Sequence, residues 1–170
     1  GERGSLVTLL VKRKGERELL SFRLKRAAIP TYSIDASYML DEESGYIKLS
    51  RFSASTIDEI SEAMEKLNEL GMQKLILDLR GNGGGYLGSA VFIADQFLPK
   101  GKLIVYTEGR NRTRKMYRAS NGSSFSEGDL IILIDQNSAS ASEIVAGAIQ
   151  DNDRGLILGR RSFGKGLVQE

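Results

Sequence analysis

With 170 residues, 41% hydrophobic and 27% charged side chains, the chain has the composition of one soluble domain with a sizeable core plus a fragment. Its formal net charge is only +2, with Lys and Arg interleaved among Asp and Glu, which gives no reason to expect a nucleic acid or an anionic membrane as the main partner. Histidine and cysteine are both absent, which excludes Ser-His-Asp and Cys-His machinery, disulfides and the usual zinc sites, so any nucleophile here needs a lysine or a carboxylate as its base.

Residues 5–12 and 18–25 are apolar-rich strand patterns on either side of a turn at Lys14-Gly15-Glu16, and together they predict a β-hairpin. Pro30 marks a break. Residues 45–50 then alternate in strand fashion, and Ser55 or Thr56 offers an N-cap with Glu59 placed for a capping box, opening a helix that runs to about Leu70 and is closed by Gly71. Lys74–Leu79 reads as a short apolar strand, and the glycine cluster 81–85 leads into a second helix ending near Phe97, before Pro99. Strands follow near 102–107 and 129–135, then a small-residue helix from about Ser140 and a strand near 155–158. This alternation predicts an α/β layered fold with a largely parallel sheet flanked by helices.

No apolar run reaches the roughly 18 residues that span a bilayer, and no signal-type segment opens the chain. The start at Gly1-Glu2-Arg3-Gly4, leading directly into a strand, and the stop at Gln169-Glu170 amid β-type sequence read as a piece of a longer precursor.

Three segments carry candidate chemistry. The first, Asn137-Ser138-Ala139-Ser140-Ala141-Ser142-Glu143, follows the apolar strand Leu130–Ile134 and opens a helix. Such an elbow holds a hydroxyl at a rigid corner, where the N–H groups of the first helical turn face a developing oxyanion; plain N-capping by serine is the alternative. The second, Gly159–Gly166, has the GxxxxGK spacing of a phosphate loop but carries Gly166 where Ser or Thr should bind magnesium, and extended rather than helical sequence follows. Lys165, among glycines and apolar residues, is either a desolvated amine able to act as a base or an exposed turn lysine. The third, Gly81–Gly88, follows a strand and contains GxGxxG at 83, 85 and 88, with Glu108 twenty residues further on. It reads as a dinucleotide loop, as an oxyanion hole or as a tight turn alone.

Taken in order, residues 45–52, Leu75-Ile76-Leu77-Asp78-Leu79-Arg80-Gly81-Asn82-Gly83-Gly84-Gly85, Ser138–Ile144 and Phe163-Gly164-Lys165-Gly166-Leu167-Val168-Gln169 resemble the carboxyl-terminal processing (tail-specific) serine peptidases. The resemblance covers roughly residues 27–170. It implies a layered core like those of crotonases and the Clp protease, with residues 1–27 as the C-terminal remnant of a PDZ domain and residues 28–170 as a catalytic core truncated at its C-terminus.

The family pattern places the nucleophile at Ser140, its general base at Lys165, and at Gln169 the glutamine that orients the lysine. The oxyanion donors implied are the N–H groups of Ala141 and of a loop glycine, Gly84 in preference to Gly85. No cofactor or metal is required. The implied partners are protein substrates with unstructured, apolar carboxyl-terminal tails, presented with the help of the PDZ domain, with neither nucleic acid nor lipid insertion. An extracytoplasmic bacterial location and a homo-oligomer of the full-length protein are implied as well. Arg160 departs from the family pattern, which more usually has an acidic residue there. Two other readings stay open: a non-catalytic relative that binds protein tails, and a nucleotide-binding protein built on the two glycine-rich loops.

Overall fold

The computed structural model describes residues 1–27, 31–120 and 123–167, so the break expected at Pro30 and the role expected of Gln169 lie outside the described residues. The chain divides into two units, Gly1–Thr31 and Tyr32–Glu170. In the first, β1 (Leu6–Val11) pairs antiparallel with β2 (Leu20–Lys25), giving the expected hairpin. Leu9, Leu10, Phe22 and Leu24 stay exposed on it, because a two-stranded ribbon has no second layer in which to bury them.

The second unit is built on a five-stranded sheet of order β3-β4-β5-β8-β9. Its strands are β3 (Ile34–Met39), β4 (Ser44–Leu49), β5 (Lys74–Asp78), β8 (Asp129–Ile134) and β9 (Leu156–Gly159). The last four run parallel and β3 is an antiparallel edge, so the sheet is largely parallel as expected. β6 (Leu103–Gly109) does not join it, in contrast to the unbroken alternation read from the sequence. It pairs instead with β7 (Arg112–Arg118) in a separate antiparallel ribbon. The charged Arg-Thr-Arg-Lys stretch of β7 suits a solvated hairpin and not a sheet buried on both faces.

The helices are α1 (Thr56–Glu69), α2 (Leu87–Phe97) and α3 (Ala141–Asp151). In α1 the helical spacing of Ile60, Met64 and Leu67 buries one stripe, and Gly71 follows with a φ of 93°. The capping box expected of Glu59 does not form. Its carboxylate accepts the Ser33 and Ile34 N–H groups at 2.8 and 3.1 Å and the Ser55 hydroxyl at 2.6 Å. Those amides, just before and at the first residue of β3, outcompete the helix start and pin β3 to α1. In β4, Gly45, Ile47 and Leu49 are buried while Tyr46 and Lys48 on the other face are only partly so, the period-2 pattern of a sheet with one covered side. Ile47 and Leu49 join Leu75, Leu77, Leu130 and Ile132 with Ile60, Ile93, Phe97, Val145 and Ile149 in one core.

On the opposite face of the sheet Asp78, only 1% exposed, gathers the charge of its neighbours. It accepts hydrogen bonds from the Tyr46 hydroxyl at 2.7 Å, the Lys48 amine at 3.2 Å, the Arg80 N–H at 2.9 Å and the Arg80 guanidinium at 2.7 to 3.1 Å. Burial pushes its carboxyl up, but the bonds from Arg80, Tyr46 and Lys48 outweigh burial and hold it well below the usual carboxylate range. Burial, reinforced by the Asp78 carboxylate, pushes the Tyr46 phenol up to about 12. The cluster fixes the path of Arg80 as the chain enters the glycine loop, and the Lys48 amine also donates to the Arg80 carbonyl.

Asp78→Asn therefore costs about 1.5–3 kcal/mol at neutral pH, the range for hydrogen bonds to charged groups, Arg80 and Lys48 being partly solvated. A depressed folded-state value means this stability is fully present above the ordinary Asp value near ~3.9 and is lost as pH falls through the folded value. Urea unfolding of both proteins from pH 7 to pH 3 checks this: the difference narrows in acid, and a difference independent of pH contradicts the assignment.

Candidate active site

Strands β5, β8 and β9 are neighbours and run the same way, so their carboxyl ends emerge at one edge of the sheet. The segment after β5 is the glycine loop, that after β8 is the elbow ending at Ser140, and that after β9 carries Lys165. Topology alone thus brings together three segments that are far apart in sequence.

The loop and the elbow are fastened by buried polar groups. Asn82 is wholly buried. Its side-chain N–H donates to the Leu49 carbonyl at 2.9 Å and its side-chain oxygen accepts the Gly84 N–H at 2.9 Å, while its own carbonyl takes the Ala139 N–H at 3.0 Å and the Ser142 hydroxyl at 2.8 Å. The Ser138 hydroxyl donates to the Leu79 carbonyl at 2.8 Å, and the Asp135 carboxylate accepts the Gly81 and Asn137 N–H groups, each at 2.9 Å. The Gly81 N–H is the largest influence holding the Asp135 carboxyl below its ordinary value, against a smaller effect of burial.

The three serines of the motif therefore divide their work. Ser138 and Ser142 are buried fasteners, and Ser140 sits half-buried between them at the N-cap of α3 with φ 56° and ψ −110°. A non-glycine residue at positive φ is uncommon and persists only where the surroundings enforce it. Next to it the Ala141 N–H, at the positive end of the α3 dipole, has no acceptor among the described residues.

Gly84 lies so close that a Cβ on it would stand 2.9 Å from the Ser140 Cβ and 3.0 Å from the Ala141 nitrogen, at a φ of 99°. Only glycine fits there. The Gly84 N–H, favoured from sequence as an oxyanion donor, is nevertheless engaged by Asn82, whereas the Gly85 N–H has no acceptor among the described residues. For Gly84 to donate to a substrate oxygen, its N–H must leave Asn82.

The third segment docks on the elbow through the Phe163 N–H, which donates to the Ser138 carbonyl at 3.0 Å, and through Glu143. The Glu143 carboxylate accepts the Ser140 N–H at 2.8 Å, the Ser162 hydroxyl at 2.7 Å, the Gly164 N–H at 2.6 Å and the Lys165 N–H at 2.8 Å. The Lys165 side chain does not match the desolvated amine expected of a base. It is exposed, and no hydrogen bond joins its amine to Ser140 among the described residues. Its neighbours Phe163 and Leu167 are 67% and 75% exposed, so the described residues leave this edge of the site uncovered.

The phosphate-loop reading finds no support. No helix follows Gly159 among the described residues, and the amides of Gly164 and Lys165 already face a carboxylate of the protein itself. In the glycine loop the Gly81 and Gly84 amides are likewise taken by Asp135 and Asn82, while Glu108 pairs with Arg114 at 2.8 Å on the β6–β7 ribbon. Sequence reasoning gave no role to Glu143, Asn82 or Asp135. For Glu143 a signal existed in the Ser140-x-x-Glu143 spacing, that of a capping box.

Comparison with known proteins shows the family of the chain. The model of peptidase family S41 matches residues 43–170. The carboxyl-terminal-processing protease of Synechocystis sp. is 40% identical over 174 residues, an alignment covering 99% of this chain and 40% of that protein. The carboxy-terminal processing protease CtpB of Bacillus subtilis is 37% identical over 172 residues, covering 100% of this chain and 36% of that protein. The solved structure of a photosystem II D1 C-terminal processing protease superposes with a TM-score of 0.74 at 30% identity, over 100% of this chain and 47% of that one. The chain spans about two fifths of the length of the curated relatives it matches. On the family match and these identities, the chain belongs to peptidase family S41.

Proposed function

We propose that the protein is a serine endopeptidase that cleaves other proteins near unstructured, apolar carboxyl termini, with Ser140 as nucleophile and Lys165 as general base. The observation that carries this reading is the strained, half-buried Ser140 beside the Ala141 N–H, which has no acceptor among the described residues, with the Lys165 segment tied to the same elbow. A chain without histidine or cysteine has few other ways to activate a nucleophile.

Lys165, in its neutral form, takes the Ser140 proton as the hydroxyl oxygen attacks the scissile carbonyl carbon. The carbonyl electron pair moves onto oxygen, and the N–H groups of Ala141 and of a loop glycine stabilise the resulting oxyanion. Collapse of this intermediate breaks the C–N bond, the lysine returns its proton to the departing amine, and an acyl-serine ester remains. Water, deprotonated by the same lysine, then releases the new carboxyl terminus. Gln169 is assigned to orient the lysine, and the working state requires that the exposed edge at Phe163, Lys165 and Leu167 be covered. Among the described residues β9 is the outer strand of the sheet, with Leu156 and Leu158 exposed, which suits an extended substrate tail added beside it.

The reading extends to the rest of the protein. The hairpin of residues 1–27 is assigned to the end of a substrate-presenting PDZ domain and residues 28–170 to the catalytic core, in an extracytoplasmic protein able to form homo-oligomers. No helix among the described residues is long and apolar enough to cross a membrane. A second reading, a catalytically silent protein that binds tails, is favoured by one observation: the Lys165 amine is exposed and not bonded to Ser140.

Incubating the full-length protein with an unfolded protein bearing an apolar carboxyl terminus, and analysing the products by mass spectrometry, tests both readings. The parent cleaves near the terminus, and Ser140→Ala and Lys165→Ala each lose at least ~10³-fold in rate. Cleavage that survives both substitutions overturns the dyad. Tail binding without cleavage by the folded parent establishes the second reading.

A further inference from the structure

We propose that Glu143 is a positioning residue of this site, its carboxylate holding the lysine-bearing segment against the serine elbow. The inference rests on the reading of Ser140 and Lys165 as nucleophile and base.

One carboxylate serves four donors here, and they come from two parts of the chain. One oxygen takes the Ser162 hydroxyl and the Gly164 N–H, at 2.7 and 2.6 Å. The other takes the Ser140 and Lys165 N–H groups, both at 2.8 Å. A single oxygen atom therefore bridges the backbones of the two residues, and their nitrogens stand no further apart than twice that bond length.

Ordinary helix capping accounts for only the first of these bonds. Glu143 is at N3 of α3, and its bond to the Ser140 N–H is one half of a capping box. The other three bonds reach residues 162–165, beyond the end of β9 at Gly159, where the described chain has no helix or strand to hold it. Apart from Glu143, among the described residues two backbone hydrogen bonds tether the stretch after β9, from the Arg160 N–H to Ile134 at the end of β8 and from the Phe163 N–H to Ser138 in the elbow. Neither restrains Lys165 directly.

The chemistry suits a carboxylate and no other side chain of that size. Four donors converge on two oxygens that have about four lone-pair sites between them, and a glutamine offers one oxygen and turns an NH₂ donor toward two of the same donors. Burial pushes the Glu143 carboxyl up, but the Ser162 hydroxyl and the three backbone N–H groups outweigh it and keep the group below its ordinary value, hence ionised at neutral pH. Glu143 touches no reacting atom in this scheme. Its effect is on the placement of Lys165 relative to Ser140, and misplacement of about 1 Å costs on the order of 10²-fold in rate.

The test uses the full-length protein with the unfolded substrate above. It compares Glu143→Gln, Glu143→Asp and Ser162→Ala with Ser140→Ala and Lys165→Ala, with each rate normalised to folded protein measured by circular dichroism and thermal unfolding. Glu143→Gln lowers kcat about 10²-fold with KM changed less than about threefold, the split expected when geometry between catalytic groups is lost but substrate binding is kept. Glu143→Asp, which retains the charge, recovers part of that loss, and Ser162→Ala, which removes one donor of four, loses only several-fold. The two milder variants keep the proposal testable should Glu143→Gln fold poorly.

A kcat within twofold of the parent for Glu143→Gln, or for both Glu143→Asp and Ser162→Ala should Glu143→Gln not fold, while Ser140→Ala and Lys165→Ala are inactive, overturns the role of Glu143 and leaves the dyad standing. A deficit that vanishes on normalisation to folded protein overturns it equally, since a purely structural role predicts that result. Cleavage that survives in Ser140→Ala and Lys165→Ala removes the dyad and this proposal together.

Discussion

Where β5 and β8 end side by side, backbone N–H and C=O groups leave the sheet in the protein interior and must find partners without water. Asn82, Ser138, Ser142 and Asp135 supply them, and every buried side-chain nitrogen or oxygen among the described residues has a partner. Because the Ser138, Ser142 and Asp135 side chains and the Asn82 carbonyl bond across from one segment to the other, satisfying these groups also locks the glycine loop to the serine elbow. Such a network is rigid when complete and costly when broken, since each orphaned group keeps its full desolvation penalty.

That rigidity makes the unusual backbone of Ser140 tenable. A positive φ at serine is disfavoured by itself, and here it is over-determined by Ala139 on one side, the buried Ser142 on the other, and the Glu143 carboxylate on its own N–H. The fasteners lie on either side, and the middle residue is left half-exposed next to a helix N-terminus whose first amide has no acceptor among the described residues. The Asp78 cluster does the same work one step upstream, fixing Arg80 before the loop begins. Loop and elbow are thus set by the fold itself, while the lysine segment depends on Glu143 and two backbone bonds, and is the least constrained of the three.

The elements that bury one face were legible in the sequence because their periodicity records that burial. Ile47 and Leu49 alternate with Tyr46 and Lys48, and Ile60, Met64 and Leu67 follow a helical stripe. β3 and β7 were not legible: Ile34–Met39 includes Asp35, Ala36 and Ser37, and Arg112–Arg118 is mostly charged, so both are strands by virtue of their partners and not of their own pattern. The carboxylate read as a cap at Glu59 went to amides at the start of β3 that are remote in sequence, and of the capping box that does form, at Ser140 and Glu143, only the N-capping by serine was read. The three segments of the site were visible in order, but their meeting depends on strand order. Which glycine amide is free and whether Lys165 is covered depend on tertiary contacts that no local spacing encodes.

The central claim is that loop, elbow and lysine segment form one acyl-transfer site with Ser140 at its centre. Its most direct measurement is acid quenching of the full-length protein within milliseconds of mixing with a peptide ending in an apolar tail, followed by intact-mass analysis and peptide mapping. The account predicts a transient adduct of one acyl group, confined to the peptide containing Ser140 and absent from Ser140→Ala. An acyl group carried by another residue, or peptide cleavage by Ser140→Ala at the parent rate, contradicts it.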